Sequence, residues 1–136
     1  MANPNVSNIG SFIKVANGTL PRAAAAGATN GASIDRLGYG SCVLTSTTGA
    51  TSGTPTSFGV AVKIQHSADN SSFSDLSGAA IALTTADSTA SLAVDLSLAN
   101  RYIRVVDTAA FVGGSSPTVL VHSSVVLGGA AEKPAV

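Results

Sequence analysis

From Phe58 to Phe73 the chain reads FGVAVKIQHSADNSSF, and its first nine residues alternate strictly. Phe58, Val60, Val62, Ile64 and His66 fall on one side of an extended chain; Gly59, Ala61, Lys63 and Gln65 fall on the other. A period of two predicts a half-buried strand, because a helix repeats every 3.6 residues and would scatter these apolar positions. The run ends in Ser67-Ala68-Asp69-Asn70-Ser71-Ser72, whose side chains bond their own backbone and favour a turn, and Phe73 then re-enters a core.

The same pattern recurs. Ser91–Leu98 predicts a strand with Leu92, Val94, Leu96 and Leu98 inward and Ser91, Ala93, Asp95 and Ser97 outward. Ser41–Thr47, Ala79–Leu83, Arg101–Val106 and the β-branched Thr118–Leu127 predict further strands, with Gly49–Ser57 and Gly113–Pro117 as loops. Ala23–Ala28 has helical propensity, but Pro21 precedes it and Gly27, Thr29, Asn30 and Gly31 break it, so an edge strand or irregular segment is expected. About seven or eight short strands with frequent turn signals predict an all-β fold: an antiparallel two-sheet sandwich, or jelly roll. Residues 1–20 are expected as an extended N-terminal arm, 21–129 as the sandwich, and 130–136 as a loose tail. Within the arm, Ile9, Phe12, Ile13 and Val15 form an apolar patch. Such a patch marks an interface with a neighbouring subunit, unless the arm folds back as an edge strand of its own sandwich.

Composition adds a second constraint. Of 136 residues, 10% are charged, less than half of the roughly 25% usual in globular proteins. Seven basic and seven acidic residues cancel, so no long-range field draws nucleic acid or an anionic membrane. An uncharged Ala/Ser/Thr-rich surface is poorly suited to a free monomer and points to coverage by partners, self-association included. Cys42 is the only cysteine, which excludes an internal disulfide, and its place in a strand predicts a buried inert thiol. MANPNVSNIG lacks the basic-then-apolar pattern of a signal peptide, so synthesis and folding in a host cytoplasm are expected, and the sequons at Asn17 and Asn70 are read as turns. No run reaches the length of a membrane-spanning helix.

Residues that carry chemistry are sparse. His66 and His122 lie in separate strands without metal-ligand spacing and are expected to be structural. Asp35, Asp69, Asp75, Asp87, Asp95, Asp107 and Glu132 are dispersed singly, mostly at strand ends and turns. No nucleophile elbow or phosphate loop is present. Asp69-Asn70-Ser71-Ser72 lacks the glycine and glutamate of a calcium loop. Arg101, Tyr102 and Arg104 are a weak nucleic-acid signal; Arg stems covering apolar surface, with heads paired to acidic neighbours, is the expectation. No enzyme, cofactor or metal is expected.

Four stretches together carry a family resemblance: ASIDRLGYGS at 32–41, VAVKIQHSADNSSFSD at 60–75, RYIRV at 101–105 and VVLGG at 125–129. They resemble a family of small tailed-phage virion proteins in which an ID-x-x-GY bend leads to a strand, then a Q-x-S-x-D-x-S-x-F hairpin, then RY-[IV]-R-V. The family is similar in size and strand order to capsid decoration, or cement, proteins. The resemblance implies a β-sandwich on the outer surface of the virion head, with the major capsid protein as partner and self-assembly, as a trimer, on the shell. It supplies no functional residue. The competing expectations are a carbohydrate- or receptor-binding sandwich, weakened because only Tyr39 and Tyr102 are offered for stacking, and a tail or neck component.

Overall fold

The computed structural model describes residues 9–130. Ten strands follow a short 3-10 turn, Ile9–Ser11: β1 (Lys14–Asn17), β2 (Arg22–Ala24), β3 (Gly27–Asn30), β4 (Ile34–Asp35), β5 (Tyr39–Ser52), β6 (Ser57–Ser67), β7 (Ser74–Leu83), β8 (Thr89–Asp95), β9 (Tyr102–Val112) and β10 (Thr118–Ala130). No α-helix occurs among the described residues. Every pairing is antiparallel.

Two sheets result. In the front sheet the order is β1-β10-β5-β8, with β2 also on β10; in the back sheet it is β3-β9-β6-β7, with β4 also on β9. β1 and β2 occupy successive lengths of the same edge, facing Ser124–Leu127 and Val119–Val121 of β10. β3 and β4 divide the edge of β9 in the same way. With each pair taken as one broken strand, two four-stranded sheets exchange the chain at both sides, the double Greek key of a jelly roll. The exchange at one side is Ala25-Ala26, so the alanine-rich segment is two short strands in different sheets.

The core lies between the sheets and is built by the alternation. Val60, Val62 and Ile64 of β6, Ile103 and Val105 of β9, Leu44 of β5, and Val119, Val125 and Leu127 of β10 are fully buried. Phe58 meets its ladder partner Phe111 with ring centres 6.3 Å apart. Cys42 is buried in the core, and that burial pushes its thiol up to about 11.

Several boundaries differ from the sequence pattern, each for a local reason. β5 runs through Ser52 into the segment whose composition suggests a loop, because β10 pairs with it as far as Thr118–Ser52. β8 stops at Asp95: its carboxylate accepts the Ser97 N–H at 2.9 Å, and Ala99 N–H bonds Leu96 O at 3.0 Å. This turn buries Leu96 but leaves Leu98, expected inward, 90% exposed. Phe73 does not join the core cluster; it lies half-buried beneath Arg104. Of the expected arm, Lys14–Asn17 pairs with β10, residues 1–8 lie outside the described residues, and so do 131–136 of the expected tail.

Candidate assembly surface

Three of the four stretches that carry the family resemblance meet at one end of the back sheet, while the fourth, 125–129, lies on β10 of the front sheet. Asp35 accepts from Arg101 Nε at 3.1 Å and Nη2 at 2.8 Å, and also from the Leu37 N–H, so its carboxyl is held below the usual carboxylate range, chiefly by Arg101. Arg36 points the other way and donates to the carbonyls of Asn100, Tyr39 and Ala99. Gln65 joins β9 to β7: its Oε1 accepts from Arg104, and its Nε2 donates to Asp75 at 2.9 Å. Gln65, then Lys63, lower the Asp75 pKa. Arg104 stacks 4.2 Å from the centre of the Phe73 ring. In the β6–β7 turn, Asp69 accepts from the Ser72 and Ser71 N–H groups and the Ser67 hydroxyl, which bring its pKa down to about 2. These residues bind loops to strands, so their chemistry is spent internally.

The outer face of the front sheet differs. The registers Val15–Val126, Val126–Val43 and Val43–Ala93 set four small apolar side chains in one row across β1, β10, β5 and β8. The adjacent row, Asn17–Ser124–Thr45–Ser91, is polar but uncharged, with Thr45 and Ser124 hydroxyls 2.6 Å apart. Asp95, at one corner, is the only charged residue on this face among the described residues. Lys14 and Arg22, the other charged residues of the front strands, stand in register with buried Leu127 and Val121 and so belong to the inner side. A shallow groove of about 460 Å³ runs along the apolar row, lined by Ile13, Val43, Ala93, Val126 and Gly128, with Ser41 and Asp95 also in its wall.

The four arm residues are only partly brought together. Val15 opens the apolar row and is 64% exposed, while Ile13 lines the groove. Ile9, on the 3-10 turn, is 61% exposed, and half-buried Phe12 donates its N–H to Ile9 O at 2.9 Å. Val43, Ala93 and Val126 complete the surface and were not candidates from sequence. Each sits in an expected strand, but only the register shows that they align.

Most of the remaining candidates are tied into the fold. His66 Nδ1 accepts the Asn100 N–H at 3.1 Å, and His122 lies on the outer front face. Tyr39 is 4% exposed, and Arg101 sits 5.2 Å above the Tyr102 ring, so neither ring offers a free sugar-stacking platform. Asp107, expected near a strand end, is mid-β9 and faces the interior, where it pairs with Arg22. No group of three His, Cys, Asp or Glu side chains converges among the described residues.

No protein-family model and no curated protein matches the sequence. Among solved structures, the PBSX exported protein XepA superposes on 92% of this chain with a TM-score of 0.63 at 17% identity. The chain spans 39% of the length of that XepA chain. The SPBc2 prophage-derived protein YomS is similar over 84% of this chain and 92% of its own, with a TM-score of 0.45 and 12% identity. A chain from the disulfide-linked pili of Bacillus endospore appendages covers 86% and 88% at a TM-score of 0.49 and 14% identity. At these identities the likeness to XepA establishes a shared fold and nothing further.

Proposed function

We propose that this chain is a non-catalytic structural protein of a virus particle, a jelly-roll domain that binds the assembled head of a tailed phage through the outer face of its front sheet. The observation that carries this is the face itself: the row Val15–Val126–Val43–Ala93 and a groove along it whose wall holds a single charge, Asp95. A flat surface of small side chains loses little side-chain entropy when covered and desolvates no ion pair. The back sheet, where Lys63 pairs directly with Asp75 and Gln65 links Asp75 to Arg104, faces solvent more cheaply. The partner is the major capsid protein on the outside of the shell. A ligand that binds the assembled shell and not its free subunits stabilises the shell by mass action, and many copies sum small gains. The family resemblance agrees with this role and implies trimers.

The test mixes purified protein with expanded, empty heads of the phage that encodes it and counts bound copies per particle. Saturation at a number matched to the shell's symmetry supports decoration. Binding to tails or host glycans instead, with none to heads, contradicts it.

A further inference from the structure

The two sheets have four edges, and three are guarded against pairing. The edges made by β1 with β2 and by β3 with β4 are broken into pieces of four residues or fewer. β7 is longer, but its ladder with β6 jumps from Lys63–Ala80 to Gln65–Asp75, and Gly78 takes φ +78° in the resulting irregularity. Short strands and bulges are the usual means of blunting an edge. β8 has neither. Its seven residues run in unbroken register with Ser41–Thr47 of β5, and Asp95 is its only charge.

The hydrogen bonds show which groups face outward. Thr48 N–H donates to Ser88 O and Leu96 N–H donates to Gly40 O, so even-numbered positions bond β5. Thr89, Ser91, Ala93 and Asp95 therefore turn their backbone N–H and C=O groups to the open side. We propose that β8 pairs antiparallel with β8 of a second copy, with Leu92 on the two-fold axis. In that register Ser91 bonds the second copy's Ala93, and Thr89 faces the second copy's Asp95, so no carboxylate meets another directly. The half-buried Leu92 side chains close against each other at a non-hydrogen-bonded position, where Cα atoms approach to about 4.5 Å. An isologous contact of this kind closes at two copies and joins two front sheets into one, placing two apolar rows side by side. It yields dimers where the resemblance implies trimers. The pairing stands whether or not the chain binds a shell.

The experiment uses the full chain. Wild type should sediment as a dimer at tens of micromolar. Ala93→Pro should sediment as a monomer with an unchanged β circular dichroism spectrum, since the lost N–H faces outward and serves no bond to β5. Leu92→Cys should oxidise to a disulfide-linked dimer, the expected Cα spacing lying within disulfide range, while Leu98→Cys stays uncrosslinked. A wild-type monomer or trimer overturns the proposal, as does an oligomer that survives Ala93→Pro or a Leu92→Cys variant that crosslinks no better than Leu98→Cys. If either variant misfolds, the other variant and the wild-type mass decide.

Discussion

Arg22 on β2 and Asp107 on β9, 85 positions apart, form a two-pronged ion pair that ties the front sheet to the back sheet. Nη1 donates to Oδ2 at 3.2 Å and Nη2 donates to Oδ1. The Asp107 side chain is 1% exposed and that of Arg22 25%, so the carboxylate depends on this one guanidinium for its charge compensation. Arg22→Leu should therefore destabilise the fold by about 3 kcal/mol, the lower end for a broken buried pair because Arg22 retains some solvent. Arg22→Leu with Asp107→Leu should recover most of the loss. Urea midpoints of the two variants check this, and equal losses in both would contradict it.

Gly31 and Gly18 allow the segments that follow β3 and β1 to touch. A Cβ on Gly31 would meet Gly18 O at 2.0 Å, while the Gly31 N–H bonds Val105 O and the Gly18 N–H bonds Ser123 O. Backbone cannot retreat there without losing those bonds. Gly31→Ala should cost about 3 kcal/mol or more, whereas Gly59→Ala, which has open space at its Cβ, should stay within about 0.5 kcal/mol. Thermal denaturation of the two variants gives the comparison.

Acid should weaken the protein through its turns. Asp69 has a pKa of about 2 in the folded chain, below the ordinary carboxylate value, because the Ser72 N–H, the Ser67 hydroxyl and the Ser71 N–H favour its ionised form. A depressed pKa contributes stability that is present above the unfolded value and is lost as pH falls toward the folded one. Urea midpoints should drop from about pH 4.5 to about pH 2. Asp69→Asn should flatten that slope, and identical slopes in both proteins would refute the assignment.

The alternation of 58–66 placed β6 and its inward face correctly because a half-buried strand writes its burial directly into the chain. Cys42 and the turn at 67–72 were legible for the same reason: their environment is local. Leu98 was misassigned inward because a period of two carries on past the point where the Asp95 side chain bends the backbone. The Arg22–Asp107 pair left no sequence signal, since nothing local links residues in different sheets. The assembly surface was half legible. Ile13 and Val15 stood out as apolar residues in a polar segment, but Val43, Ala93 and Val126 acquire meaning only once three registers align them.

Binding through a face that carries a single carboxylate, Asp95, should be nearly independent of salt. The affinity for heads should change less than about threefold between roughly 50 and 500 mM NaCl, where a contact that neutralises several phosphates or carboxylates would weaken by orders of magnitude. A steep decline across that range, measured by copies bound per head, would point to the charged end of the back sheet instead.

The most direct measurement compares one lysine on each face. Val43→Lys places a charge in the centre of the apolar row, and Ala61→Lys places one on the outer face of the back sheet, in register with Thr108 and Ala82. Burying an ammonium costs several kcal/mol of desolvation, which a pairing with Asp95 in the same groove offsets only in part, so Val43→Lys should lower the affinity for empty heads by about a hundredfold or more. Ala61→Lys should bind like wild type, and both variants should keep the wild-type melting transition within a few degrees. Undiminished binding by Val43→Lys, or a loss confined to Ala61→Lys, would contradict attachment through the front sheet.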